Sequence, residues 1–178
     1  MSNGLFIALR RFRRREDGIA TVEFALMFPV ILGLFLFAVE LGLLMTKQVI
    51  LEFATDVAMR DLRLGRMADP SSDALKDEIC SRAKIINGCR GNIMIEMRPI
   101  DTNTWQMPDA PVSCVDREED IQPVVTYNPG SQNQIMLIRA CVIVTPLFPG
   151  TGLAAMLDLD QFGGYGMAAV SAFVNEPS

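Results

Sequence analysis

The feature that most constrains this chain is an apolar run near its start. Residues 19–45 read IATVEFALMFPVILGLFLFAVELGLLM, and their only charged side chains are Glu23 and Glu40. An α-helix rises about 1.5 Å per residue, so the run extends about 40 Å and can cross the hydrocarbon core of a bilayer. Pro29 is expected to kink this helix, which neighbouring helices in a membrane tolerate. The run predicts one transmembrane helix at 19–45.

The charge distribution predicts how this helix is oriented. Residues 1–18 contain five arginines but only two acidic residues, whereas the whole chain has a formal net charge of −5. By the positive-inside rule, the basic leader 1–18 stays in the cytoplasm and residues 46–178 lie on the other side of the membrane. A cleaved secretory signal is the competing interpretation, but its apolar core of about 7–15 residues is shorter than this run.

The composition argues against several classes of function. The acidic remainder disfavours nucleic-acid binding, because phosphate contacts need clustered Lys and Arg. The chain has no histidine, so it lacks the commonest general base and a frequent zinc ligand. We therefore expect no enzyme, no catalytic residue, no cofactor and no metal site, although a hydrolase that uses carboxylates alone remains open.

Periodicity after the apolar run predicts an α+β fold. Apolar residues recur at helical spacing as far as Leu64, so the first helix is expected to extend over residues 46–64 into the domain. Residues 69–73 contain a proline, two serines and two aspartates and predict the cap of a second helix, which would end at Asn87 and Gly88. Strand patterns follow at 93–98, 135–145 and 167–174. The domain is thus predicted to pack a small antiparallel sheet of three or four strands against the long helix.

The four cysteines all follow the apolar run. In an oxidising compartment an even number of cysteines predicts two disulfides, for which three connectivities exist. We expect Cys80 to pair with Cys89, which closes a short loop after the second helix. We expect Cys114 to pair with Cys141, which ties the long irregular stretch to the middle strand.

The junction between leader and helix carries the most informative motif. Gly18 follows the arginine cluster and precedes Ile19, and Glu23 and Phe24 come shortly after it. This spacing resembles the prepilin peptidase site of pilins and pseudopilins. The resemblance implies cleavage between Gly18 and Ile19 and a role for Glu23 and Phe24 in subunit assembly. The alternative is that Glu23 merely extends its carboxylate towards the membrane surface.

A longer stretch, residues 17–40, resembles the N-terminal signature of the TadE-like family of the tight adherence (Tad, Flp-type) pilus system. The endings of that family are similar to residues 173–177 of this chain. The resemblance implies a protein of the bacterial inner membrane with a pilin-like periplasmic domain at residues 46–178. It further implies a minor pseudopilin that supports pilus assembly. The implied partners are a prepilin peptidase, other pilins and pseudopilins, inner-membrane platform proteins and membrane lipid. The alternative function is an uncleaved bitopic scaffold of the pilus or secretion platform.

Three weaker features have simple interpretations. Glu40 is expected near the outer membrane interface, solvated among the headgroups. Residues 69–73 approach the metal-adhesion pattern of von Willebrand-type domains, but Asp73 stands where the last serine belongs, so a helix cap is favoured. The acidic cluster 116–120 is expected to be a solvated loop, with a calcium site as the alternative.

Overall fold

The computed structural model describes residues 19–67, 70–108, 111–119, 121–148 and 152–176. The predicted leader 1–18, including Gly18, lies outside these residues. The helices are α1 (Ile19–Arg63), α2 (Ser72–Arg82) and α3 (Cys89–Asn92), and the strands are β1 (Ile93–Pro99), β2 (Ile135–Val144) and β3 (Tyr165–Val174), with a short 3-10 helix at Ala154–Met156. A long N-terminal apolar helix followed by a three-stranded antiparallel sheet confirms the predicted α+β fold.

The chain divides into two compact units, residues 1–39 and 40–178. The described part of the first unit is the N-terminal portion of α1. The second unit contains the rest of α1 and every other element. α1 ends one residue before the predicted Leu64, where Gly65 adopts a positive φ of 63° and its N–H donates to Leu62 O at 3.0 Å. This left-handed residue closes the last turn and stops the helix.

The core of the second unit lies between α1, α2 and one face of the sheet. The strands are ordered β1-β2-β3, with Ile95 opposite Ala140 and Ala140 opposite Ala169. Leu51, Ala54 and Ala58 of α1 are completely buried in this core. Their spacing of three and four residues places them on one helix face, and two alanines let the helix approach the sheet closely.

The second helix begins as predicted but ends early. Ser71 is the N-cap, and its side-chain oxygen accepts a hydrogen bond from the Ala74 N–H at 3.3 Å. The predicted end at residues 87 and 88 is wrong, because α2 ends at Arg82. Gly88 then adopts a positive φ of 64° and starts α3, to which the Cys80–Cys89 disulfide ties the end of α2. The chain must reverse within this nine-residue separation, which a continued helix does not allow.

The outer face of the sheet is covered at β1 and β2 by the long segment between these strands, whereas the even-numbered residues of β3 are exposed. The alternation in β1 predicts a strand with one buried face, yet Ile93–Met97 are all buried. The Cys114–Cys141 disulfide holds the covering segment on this face, with its two Cα atoms 5.0 Å apart. These are the same two disulfide pairs that the sequence analysis favours, and no described cysteine is free.

The described part of the acidic cluster, residues 116–119, is a loop in which Glu118 and Glu119 are exposed, as expected, and it is also anchored to a turn. Arg117 donates to both carboxylate oxygens of Asp160, at 2.7 and 2.6 Å, and Glu118 accepts from Gln161 at 2.7 Å. Burial raises the pKa of Asp160, but hydrogen bonds from Arg117 and Gly164 outweigh this effect and hold the pKa below its ordinary value. Asp120 lies outside the described residues.

Gly166 of β3 lies against the Cys114–Cys141 disulfide. A Cβ atom at this position would lie 2.7 Å from Cys114 Sγ and 3.3 Å from Cys141 Sγ. We expect Gly166→Ala to lower the free energy of unfolding by about 1–3 kcal/mol because the added methyl group would overlap with the disulfide. In a Cys114→Ala/Cys141→Ala background the same substitution should cost much less, as measured by thermal unfolding of the detergent-solubilised protein. Equal costs in both backgrounds would contradict the contact.

Candidate membrane and assembly site

The N-terminal portion of α1 exposes apolar side chains around its whole circumference. The side chains of residues 20–35 are all exposed, including Phe24 at 64%. α1 is the one helix in the described residues that is long and apolar enough to cross a membrane. A helix that is apolar on every side and packs on no protein core is typical of a lipid environment or of contact with other apolar helices.

The predicted assembly residues lie on this exposed surface. Glu23 is exposed, and the Phe24 ring stacks on the Phe28 ring with centroids 5.1 Å apart. Both residues lie within the first two turns of α1, which begins at Ile19. Gly18, the other member of the predicted processing site, lies outside the described residues. The functions predicted for these residues therefore stay predictions.

Glu40 is buried, and the expectation that headgroups solvate it is wrong. The side chain is only 1% exposed, and one carboxylate oxygen accepts the Phe148 N–H at 3.0 Å. A buried carboxylate is tolerated when hydrogen bonds replace its water. Sequence reasoning missed this contact because Phe148 lies 108 residues further along the chain. The available signal was a second acidic residue inside an apolar run, which calls for a partner.

Polar groups near Glu40 connect α1 to the segment after β2 at the start of the compact second unit. The Lys47 ammonium donates to the Thr145 carbonyl at 3.3 Å, and both residues line a cavity of about 260 Å³ together with Glu40 and Asn87. Burial raises the pKa of Tyr165, and the negative charge of Glu40 raises it further. Glu40 and Lys47 thus hold the segment after β2 against α1 with side chains of opposite charge.

A buried ion pair lies on the outer face of the sheet. Glu96 of β1 is directly opposite Arg139 of β2, and Arg139 Nε donates to the carboxylate at 2.9 Å. Both side chains are buried and line a cavity of about 610 Å³ under the segment between β1 and β2. Removing one partner of such a pair would leave an uncompensated buried charge and would destabilise the domain. The sequence analysis did not identify either residue.

No cluster of three metal-ligating side chains occurs in the described part of the chain. Ser71 is occupied as a helix cap, and the Asp73 carboxylate lies 3.7 Å from the Lys76 ammonium. Asp69 lies outside the described residues. The described geometry at residues 70–73 therefore fits a helix start.

The family model described as TadE-like protein matches residues 18–60. This match begins at the glycine before α1 and covers most of that helix, and it confirms the resemblance to the TadE-like family of the Tad pilus system. It spans about a quarter of the chain. No curated protein and no solved structure gives a significant match to the chain.

The Glu40 contact predicts a measurable stability effect. Glu40→Ala removes the acceptor of the Phe148 N–H, and we expect it to lower the free energy of unfolding by about 1.5–3 kcal/mol. Glu40→Gln keeps an acceptor oxygen and should cost clearly less. Thermal unfolding of the detergent-solubilised protein measures both, with exposed Asp56→Ala as the matched control on the same helix. If Glu40→Ala behaved like the control, the contact would contribute nothing to stability.

Proposed function

We propose, on the strength of the TadE-like match, that this chain is a non-enzymatic minor pseudopilin that supports assembly of a Tad/Flp-type adhesive pilus. The observation that carries the proposal is that the match covers residues 18–60, from the predicted processing glycine through the exposed apolar helix. Its proposed partners are a prepilin peptidase, other pilins and pseudopilins, and platform proteins of the inner membrane.

The division of the chain into two compact units supports a specific limit for the membrane span. The compact second unit begins at Glu40, and residues 19–39 provide about 20 helical residues, which extend about 30 Å. We infer that the span is 19–39, shorter than the predicted 19–45, with residues 1–18 in the cytoplasm and 40–178 in the periplasm. Two disulfides in the second unit suit an oxidising compartment.

Glu23 has a proposed role that depends on processing. Cleavage after Gly18 creates a new α-amino group at Ile19, four residues before Glu23. A carboxylate and an amine about 4 Å apart gain about 4 kcal/mol at an effective dielectric of about 20. Placing a charged residue in a membrane helix costs about 2.5–3.5 kcal/mol on insertion scales. Pairing with the Ile19 amine of a neighbouring subunit would therefore offset the burial of Glu23 and set the axial register between subunits.

The first test is the mature N-terminus. We expect mass spectrometry of protein extracted from membranes of cells that carry the peptidase to detect a chain that starts at Ile19. Gly18→Leu should block this processing, because the peptidase needs a residue without a side chain at the scissile bond. An intact chain that still starts at Met1 or Ser2 in the unsubstituted protein would favour the uncleaved bitopic scaffold instead.

The second test separates the role of Glu23 from processing. Glu23→Gln should leave membrane insertion and cleavage intact, since a neutral amide is easier to bury, but should reduce co-assembly with other pilins. The measurements are the number of pili per cell and adhesion to a surface. Glu119→Gln, on an exposed loop, is the matched control. Normal processing together with wild-type piliation in the Glu23→Gln strain would leave Glu23 without an assembly role.

A further inference from the structure

The two edges of the sheet differ in how their backbone groups are satisfied. The outer edge of β1 is partly covered by the chain near Tyr127, because Met97 N–H donates to Thr126 O at 2.9 Å and Asn128 N–H donates to Met97 O at 2.8 Å. The opposite edge is formed by β3. No comparable segment of the described chain pairs with it.

Hydrogen bonds at both ends of β3 show which of its residues face the open edge. Asn175 exchanges backbone bonds with the chain just before β2, at 2.9 and 3.0 Å, so odd-numbered residues point towards β2. Ala168 O accepts from Gln48 of α1 at 2.9 Å, so even-numbered residues point outward. Apart from this Ala168 carbonyl, the outward backbone groups have no hydrogen-bond partner among the described residues; they belong to Gly166, Ala168, Val170, Ala172 and Val174.

The sequence of β3 contains none of the residues that usually prevent an edge strand from pairing with another chain. Its ten residues, YGMAAVSAFV, contain no charged residue and no proline. Natural proteins normally block a free edge strand with lysine, proline, a bulge or a covering element, because an unprotected edge pairs with other chains. An unprotected strand of this length therefore indicates an edge that is paired in the functional state.

The α1 helix leaves a groove beside the middle of this edge. α1 and β3 run in the same direction, since Gln48 contacts Ala168 and Arg63 forms an ion pair with Glu176 at 2.9 Å. Between these two contacts lies a cavity of about 450 Å³, lined by residues that include Asp56, Arg60 and Ala172. In the described part of the chain neither Asp56 nor Arg60 has an ion-pair partner, so both charged side chains are available to a second chain.

A complementary surface is present at the other edge of the same sheet. Residues 121–126 lead into the backbone pairing with β1, and they expose Ile121 at 85% and Val124 at 99%. Immediately after it, at the bridge between Tyr127 and Met97, the chain runs parallel to β1, and β1 has the same direction as β3. We propose that the β3 edge of one copy pairs with residues 121–126 of a second copy, so that the sheets of successive copies join side by side.

Membrane anchoring, which is part of the proposed function, selects this contact over antiparallel pairing of β3 with β3. A two-fold axis that pairs two β3 strands antiparallel would also reverse α1 of the second copy, because α1 follows the direction of β3. Two chains anchored in one membrane through the start of α1 need helices with the same direction. Pairing between opposite edges keeps that direction and leaves a free edge at each end, so the assembly can grow.

Cysteine cross-linking in membranes tests the proposal. We suggest Ala172→Cys in one tagged chain and Val124→Cys in a differently tagged chain, since both positions are exposed and the four described cysteines are already paired. The two full-length chains are co-expressed in a bacterial host that lacks other pilus proteins and are treated with a short bis-maleimide. We expect a cross-linked heterodimer, and a ladder of higher oligomers when one chain carries both substitutions.

The controls make each outcome decisive. Lys84→Cys, exposed and outside both proposed surfaces, replaces either cysteine and should give no product. Adding Val170→Lys to the Ala172→Cys chain should reduce the product to this control level. Maleimide dye labelling and recovery of both native disulfides verify accessible thiols and an intact fold.

Two results would overturn the proposal. One is a product formed by Ala172→Cys chains alone, which means that β3 pairs with β3. The other is no product from the mixed chains although their thiols react. Because this host makes no pili, failure here would leave the processing and piliation tests of the proposed function unaffected.

Discussion

A single continuous helix must satisfy two different environments, and the rest of the structure depends on how its sequence does so. Residues 20–35 of α1 expose their side chains in every direction, whereas further along the helix Leu51, Ala54 and Ala58 are completely buried against the sheet. Two of these buried residues are alanines, whose small side chains allow close contact with the sheet. Residues 20–35, by contrast, include bulky side chains such as those of Phe24 and Phe28. The first buried side chain of α1 is Glu40, where the compact second unit begins.

The regular elements were predictable because their signals are local. The apolar run and the periodic residues after it specified α1 to within one residue of its end, and Ser71 was recognised as a helix cap from its sequence context. β2 was predicted to within a residue because an apolar run without glycine or proline has few alternatives. The end of α2 was missed, since a disulfide and a left-handed glycine at position 88 override the apolar stripe that continues to Ile86.

The polar contacts were not predictable, because each joins residues that are distant in sequence. Glu96 pairs with Arg139, 43 residues away, and Arg117 with Asp160, also 43 residues away. Periodicity carries no information about such partners, so Glu96 looked like an ordinary polar residue of an alternating strand. In contrast, a local motif identifies the predicted processing and assembly residues Gly18 and Glu23. Their proposed roles depend on contacts with other chains.

The link between Glu40 and the Phe148 N–H determines where this protein can change length. Each residue added to an α-helix rotates everything beyond it by about 100°. An insertion between Glu40 and Ala58 would therefore turn either the carboxylate away from Phe148 or the buried side chains away from the sheet. An insertion before Glu40 leaves every contact of the second unit in place. Adaptation to a thicker or thinner bilayer is thus confined to the portion of α1 that precedes Glu40, and the domain itself can remain unchanged while its anchor is lengthened or shortened.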